Sequence, residues 1–472
     1  MNYPVGTIFL EQLKIMPNQK ILYLPIEVKN REFLSKCLVA MEAAKRGYTV
    51  IIGSRSSLFQ KIKFLKKGIF FYMHATDEDF HDLNKITKNG FALYALDEEG
   101  PFIYDEDNHK TYRVSPRTFQ LVKHFFCWGN KEREIIESKL GNQKDKISIS
   151  GNPRFDLLRK EFHFSSIDET RELKDKYGEF ILINTNFGRF NNFHGLDEYK
   201  EILNAQGKLK DPNDKKYYLD EIEYQRQVIP YFYELCKSLS QSFQNKNIVI
   251  RVHPSEKVET WMEVFQSFKN VHVTREGSVL KWLAACELLI HNNCTTAIEY
   301  FAMGKISISY RPILWPEHTD LLPNQVSVEY FSIEKLIKDI SQQSLFKSFN
   351  EERAKNAIKA YVGSLEGKFS FDKIIDKFEL DLLANPINSN ALDIFRSNFF
   401  LSMNQKYYDM RLRLRKLLKG EIGLEYERNK FPSISIEEVK NILDNLSLPN
   451  EYQLNVKNYF KDLVIIKNTS KE

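Results

Sequence analysis

His253 closes an apolar run, in Arg251-Val252-His253-Pro254. An imidazole in that place can donate to a phosphate oxygen or to a leaving oxygen. Pro254 ends the strand ladder and stiffens the turn, so the ring is presented rather than packed away. Arg251 alternates away from Val252 and suits a carboxylate or a phosphate. A plainer role also fits: a strand-end His bonded to a nearby backbone group. About 40 residues on, His291-Asn292-Asn293-Cys294-Thr295-Thr296 leads from an apolar segment into a helical one. Helix starts offer unpaired N–H groups and partial positive charge, and Thr295 and Thr296 add hydroxyls. Glu299 follows one turn later, within reach of a ribose diol. The plainer role here is a helix cap with an acidic first turn. On neighbouring predicted strands, the two segments would converge on one nucleotide.

Three further segments follow predicted strands. In Asn184-Thr185-Asn186-Phe187-Gly188-Arg189, Gly188 admits close backbone approach, and the amides of Asn184 and Asn186 can contact sugar or phosphate. The segment lacks the GxGxxG pattern, which disfavours a dinucleotide cofactor. Asp97-Glu98-Glu99-Gly100 places three carboxylates side by side. One of them, with a raised pKa, could serve as general base for an acceptor hydroxyl; a solvated charged turn is the alternative. In Gly151-Asn152-Pro153-Arg154-Phe155-Asp156, Arg154 could meet an anionic group and Asp156 could be a catalytic carboxylate, or the whole could be a rigid interdomain turn. No GxSxG, Walker-type phosphate loop, HExxH or Cys/His ligand cluster occurs, and no DxD-like pair follows a strand. The chemistry expected is therefore metal-independent, with no cofactor.

The elements that must position these residues form two series. Apolar runs at 20–28, 48–53, 68–73, 91–96, 124–129 and 146–150 alternate with helical stretches, the first over 30–47. Runs at 179–188, 247–254, 270–274, 287–293 and 305–310 make a second series, with helices near 218–243 and 295–304. Such alternation predicts βαβ units and parallel sheets, hence an α/β fold of two Rossmann-like domains facing a cleft. The boundaries expected are a first domain at 1–157, a charged linker at 158–178, a second domain at 179–330 and a mainly helical region at 331–472. Ligands of such sheets bind beyond the carboxyl ends of the strands, where all the segments above lie.

Composition agrees. The chain has 472 residues, 42% hydrophobic and 28% charged, which suits two cores and argues against bulk disorder. A net charge of +5 from many charges of both signs fits an anionic small ligand and makes no case for nucleic acid. The five cysteines are widely spaced and without a CxxC pair, as expected of reduced core thiols. No signal peptide and no long apolar span is evident, so a cytoplasmic protein is expected. Residues 404–420 interleave Lys and Arg with Tyr and Leu. They read either as a solvated basic helix or as a peripheral contact with the anionic inner face of the plasma membrane.

Taken in order, LPIEVKNREFLSK, LDEEG, SGNPRFD, INTNFGRFN, RVHP and NNCTTAIEYFAMGK resemble the bacterial surface carbohydrate biosynthesis proteins. More distantly they resemble the GT-B transferases that use CMP-activated acid sugars, especially the retaining β-Kdo type. These pieces span residues 24 to about 305. The resemblance implies a CMP-linked 3-deoxy-ulosonic acid donor, Kdo or a relative, and a surface glycan or glycolipid acceptor. His253 with Thr295 and Thr296 would hold the cytidine phosphate, and Glu299 the ribose. Asp156 would be the nucleophile and Glu98 the acid/base, with Asp97 and Glu99 equally near. The donor's own carboxylate needs a cation, for which Arg154, Arg189 and Arg311 are candidates. The alternatives are a CDP-glycerol or UDP-sugar transferase on the same fold, or a non-catalytic nucleotide-sugar-binding subunit of an envelope glycan complex.

Overall fold

The computed structural model describes residues 20–100, 110, 113–141, 144–159, 161–162, 167–318, 321–387, 431–446, 453–460 and 462–468. The basic segment 404–420 lies outside the described residues. The chain divides into two compact units, one built from 1–157 with 361–472 and the other from 158–360.

In the first unit the apolar runs become β1 (Ile21–Ile26), β2 (Thr49–Ser54), β3 (Ile69–Tyr72), β4 (Ala92–Leu96), β5 (His124–Cys127) and β6 (Ile147–Ile149). They pair in parallel in the order β2-β1-β3-β4-β5-β6. Parallel strands carry helices on both faces, so ILYLPI and TVIIGS are buried along their whole length. The helix Lys29–Lys45 makes the first crossover, and its Cys37, Leu38, Val39 and Ala40 are fully buried.

The chain returns to this sheet after residue 360. The helix Ser370–Ala384 lays Phe378 against Phe71, Tyr94 and Phe126, with ring centres 5.6, 4.7 and 5.9 Å apart. An antiparallel hairpin, β13 (Leu454–Phe460) and β14 (Leu463–Asn468), then adds itself to the edge strand β2, with Val464 opposite Ile52. Gly53 makes that join. It has φ +151, and a Cβ there would stand 2.0 Å from the Asp462 carbonyl oxygen.

The second unit holds β7 (Phe180–Asn184), β8 (Asn247–Arg251), β9 (Val271–Thr274), β10 (Leu288–His291), β11 (Ser307–Tyr310) and β12 (Ser327–Tyr330). All pair in parallel in the order β12-β11-β10-β7-β8-β9. The 31-residue helix Pro212–Ser242 starts on Asp211, whose carboxylate accepts the Asn213 and Asp214 N–H groups. It buries Phe232, Leu235 and Leu239 on the sheet.

Three expectations about organisation change. Residues 158–178 are more than a linker: Ile167–Tyr177 is a helix whose Leu173 and Tyr177 join a core with Trp282. Among its described residues the region 331–472 holds four helices, yet it is shared between the units and also carries the hairpin. β8 and β10 are not neighbours, because β7 lies between them.

Candidate functional site

Each sheet has one point where the chain reverses its direction of winding, and polar side chains meet at both. In the second sheet the reversal falls between β7 and β10. Asn184, the last residue of β7, donates through Nδ2 to Thr296 Oγ1 at 3.0 Å, at the start of the helix after β10. Its neighbour Thr185 accepts the His253 backbone N–H at 3.0 Å, beyond the end of β8. The last residue of the central strand and the one after it thus tie the His253 loop and the Thr295–Thr296 loop together.

Glu256 organises this edge from below. It is fully buried, and accepts Thr185 Oγ1 at 2.5 Å, Phe187 N at 2.9 Å and Trp261 Nε1 at 3.0 Å. Burial raises its pKa, and the hydrogen bonds act in the opposite direction. Gly188 completes the loop contact. A Cβ there would stand 1.8 Å from Ser255 Oγ, so only glycine lets the 185–191 loop reach the 253–256 turn.

The His253 ring is oriented by that turn. Its Nδ1 accepts the Ser255 backbone N–H at 3.2 Å and lies 2.7 Å from Ser255 Oγ. The backbone donor fixes Nδ1 as an acceptor, so in the neutral ring Nε2 carries the hydrogen. Burial, with Arg251 adding to it, pushes the imidazole down to about 4. At neutral pH His253 is therefore an uncharged hydrogen-bond donor. Arg251 itself donates to the Gly277 carbonyl at 2.9 Å, and Pro254 is exposed in the turn.

The loop after β10 is partly spent on the core. His291 is buried, its Nε2 2.9 Å from Ser327 Oγ, and burial pushes it down to about 3. Asn293 adopts φ +51, a conformation Asn tolerates better than most residues. Its side chain is held by Tyr224, Asn292, His318 and Asn324. These bonds hold the turn that leads to Thr295 and Thr296. Glu299 is buried on the following helix, and Asn186 is half-buried in the loop after β7.

In the first sheet the reversal falls between β1 and β3. Glu27, just beyond β1, lies 3.6 Å from Nε2 of His74, just beyond β3. On the other side of the ring, Nδ1 lies 2.5 Å from Asp79, which also accepts the Thr76 N–H and hydroxyl. Arg55 follows β2, pairs with Asp82 at 2.5 Å and reaches Glu27 at 3.6 Å. Burial disfavours charge on His74, but Asp79 and Glu27 outweigh it and lift the ring to about 9. His74 is an imidazolium at neutral pH. His74 repeats in sequence the arrangement of His253, an imidazole shortly beyond an apolar run, which is the signal that marks this group.

The Asp-Glu-Glu run is fully engaged. Asp97 receives Arg113 through two nitrogens, Glu98 is buried in an ion pair with Lys36 at 2.8 Å, and Glu99 pairs with Arg31 and Arg113. A raised carboxyl does occur nearby, at Glu132, which burial and the charge of Asp97 push up to about 8. It accepts the Trp128 N–H at 2.7 Å.

Asp156 requires a correction. Its side chain has no exposed surface, and its two oxygens accept the backbone N–H groups of Ser370 and Phe371 at 3.0 and 3.1 Å. It anchors the start of the returning helix and is not presented to a sugar. Nearby, Asn152 caps the turn through the Arg154 N–H at 2.8 Å. Of the three arginines expected to meet a sugar carboxylate, Arg154 belongs to the first unit. Arg311 is buried against Glu329. Arg189 lies in the loop after β7. Among the described residues no group of three or more His, Cys, Asp or Glu could hold a metal ion.

No family model and no curated protein matches the chain. Solved structures do. The wall teichoic acid polymerase TagF is similar at TM-score 0.50 and 11% identity, over 79% of this chain and 91% of that one. The fold is GT-B-like. UDP-GlcNAc 2-epimerase from Neisseria meningitidis, bound to UDP-GlcNAc, is similar at TM-score 0.46 and 13% identity, over 77% and 100% of the two chains. The epimerase from Methanocaldococcus jannaschii gives TM-score 0.45 and 11% identity. At these identities the likeness is one of fold, and function has to be argued from the sites. No described helix is long and apolar enough to cross a membrane.

Proposed function

We propose that this protein is a glycosyltransferase of bacterial surface-glycan synthesis, holding a nucleotide-activated donor in the second unit and its acceptor in the first. The observation that supports it is the His253–Thr185–Asn184–Thr296 hydrogen-bond path across the reversal point of the second sheet. It gathers a fixed imidazole donor and hydroxyls at the place where doubly wound sheets take nucleotides. As the donor we propose a CMP-linked 3-deoxy-ulosonic acid. CMP leaves as a phosphate monoester, whose charge the Nε2–H of His253 and the hydroxyls of Thr295 and Thr296 can stabilise without metal or cofactor. Glu299 would take the ribose.

For the acceptor we propose the Glu27–His74 pair. The carboxylate can take the proton of an incoming hydroxyl while the imidazolium, fixed by Asp79, balances the charge. A base acting in one displacement gives inversion at the sugar carbon. Calorimetry with CMP, CDP and UDP tests the donor, and a clear preference for UDP would sink the cytidylate reading. Glu27→Gln and His74→Gln should abolish transfer while leaving nucleotide affinity intact; loss of nucleotide binding would remove the assignment to the acceptor.

The likeness in fold to TagF favours a second reading, transfer of glycerol phosphate from CDP-glycerol. Release of CMP from CDP-glycerol, and not from a CMP-sugar, would select it. Contact of 404–420 with anionic membrane belongs to the proposal as well, and salt-sensitive co-sedimentation with anionic liposomes checks it.

A further inference from the structure

His318 is buried on the segment that follows β11, and both of its ring nitrogens are engaged. Nε2 lies 2.6 Å from Oε1 of Glu221, a buried residue of the long helix, and Nδ1 lies 3.0 Å from Asn293 Nδ2. Two backbone carbonyls decide where the hydrogens stand. The His318 carbonyl accepts Asn324 Nδ2 at 3.0 Å, so that atom is the amide nitrogen. The same nitrogen donates to Asn293 Oδ1 at 2.9 Å, which leaves Asn293 Nδ2 as a donor. The Tyr310 carbonyl fixes Asn292 in the same way, through Nδ2 at 3.0 Å. Asn292 Oδ1 then accepts the Tyr224 hydroxyl at 3.1 Å and Asn293 Nδ2 at 3.3 Å. Both routes give the Asn293 amide one orientation. His318 must meet it with a lone pair on Nδ1, so the ring hydrogen stands on Nε2 and is directed at Glu221.

Asn293 is where this orientation matters. It holds φ +51, which the backbone of an L residue adopts only with support. Thr295 and Thr296 follow at once, and Thr296 Oγ1 accepts Asn184 Nδ2 at 3.0 Å. A second hydrogen on the His318 ring would sit on Nδ1, and two donors would then face each other at 3.0 Å. We propose that His318 is a positioning residue of the donor site: its Nδ1 lone pair holds Asn293 in the turn that sets the Thr295 and Thr296 hydroxyls, and Glu221 fixes the tautomer that supplies it. This rests on the nucleotide-sugar reading and names what holds one of its loops in place.

Two amide variants separate this role from plain packing, with calorimetry on CMP, CDP and UDP beside thermal unfolding of the full chain. Asparagine can offer an oxygen where Nδ1 stood but is too short for Glu221; glutamine can offer an N–H to Glu221 but no acceptor at the Nδ1 place. His318→Asn should keep the affinity of whichever nucleotide binds within about threefold, yet melt lower, because a buried carboxylate loses its partner. His318→Gln should melt higher of the two, yet bind at least about tenfold more weakly, the cost of one lost hydrogen bond. Affinity that follows melting temperature across the two variants, or that is equal in both, would overturn the proposal. Glu221→Gln keeps an acceptor for the Nε2 hydrogen and should rescue the affinity that Glu221→Leu loses. Equal loss in both Glu221 variants would assign the turn to charge pairing and overturn the proposal, even where neither His318 variant folds. If none of the three nucleotides binds the wild type, the donor reading falls and this proposal with it.

Discussion

His253 acts, on this geometry, as a dipole and not as a charge. Its Nδ1 is held by the Ser255 N–H and its pKa lies at about 4, so the Nε2 donor is present throughout the neutral range. His253→Ala should raise the barrier to donor cleavage by about 2–4 kcal/mol, the loss expected of one transition-state donor. Steady-state rates with saturating donor read it, and an unchanged rate would make the ring structural. Asp156 is the opposite case. Asp156→Ala should leave nucleotide affinity unaltered and destabilise the first unit by about 1–2 kcal/mol, as loss of a helix-capping side chain does. Thermal unfolding beside calorimetry distinguishes this from a catalytic role, which would remove turnover with the melting curve unmoved. Residue types and spacing placed His253, Thr296 and Asn184 at strand ends. They were silent on commitments made across the chain. Asp156 is bound by residues 214 and 215 positions away, and Asp97 by Arg113. A carboxylate reads the same in sequence whether it is presented or spent.

Strands buried on both faces were the most legible elements. Runs such as FILIN and NIVIR carry their burial openly, and each lies within a predicted run. The missed elements show mixed signals. β12 is four residues long with Glu329 pointing outward, and the hairpin strands place Lys and Asn among their apolar residues. The helix Ile167–Tyr177 read as a linker because much of its sequence is charged; Leu173 and Tyr177 join the core with Trp282. Strand order was beyond reach of periodicity, so the insertion of β7 between β8 and β10 went unseen. That central strand makes the loop after it the keystone of the site. Gly188→Ala would drive a Cβ into Ser255. The turn must then shift, and His253 with it. Nucleotide affinity should fall by about tenfold or more, by calorimetry, with a smaller change in melting temperature; full retention of affinity would detach the 185–191 loop from the site.

Over the whole molecule, histidines give the two flanks of the pH profile different origins. His124, His253 and His291 are pushed down to about 4, 4 and 3, first by burial. Their unfolded forms take up protons first, so the stability they contribute above pH about 6.5 is lost as pH falls towards 4. His74 is lifted to about 9, so its contribution is complete below pH about 6.5 and disappears as pH rises through 9. Melting temperatures should therefore drop on both sides, with Glu132, lifted to about 8, adding to the loss as pH rises, and His74→Gln should lessen the alkaline loss. Thermal scans of both proteins from pH 5 to 10 check this; an alkaline loss as large in the variant as in the wild type would reassign it. The order of segments also sets an order of events. The second unit is one continuous stretch, 158–360, whereas the first begins with β1 and is sealed only by β14. On the ribosome the inserted unit can finish folding while β2 still waits, its backbone bare, for a strand made more than 400 residues later. The first-made strands of this unit are thus the late ones to mature, and a chaperone encountering the nascent chain would find its sticky edge at β2.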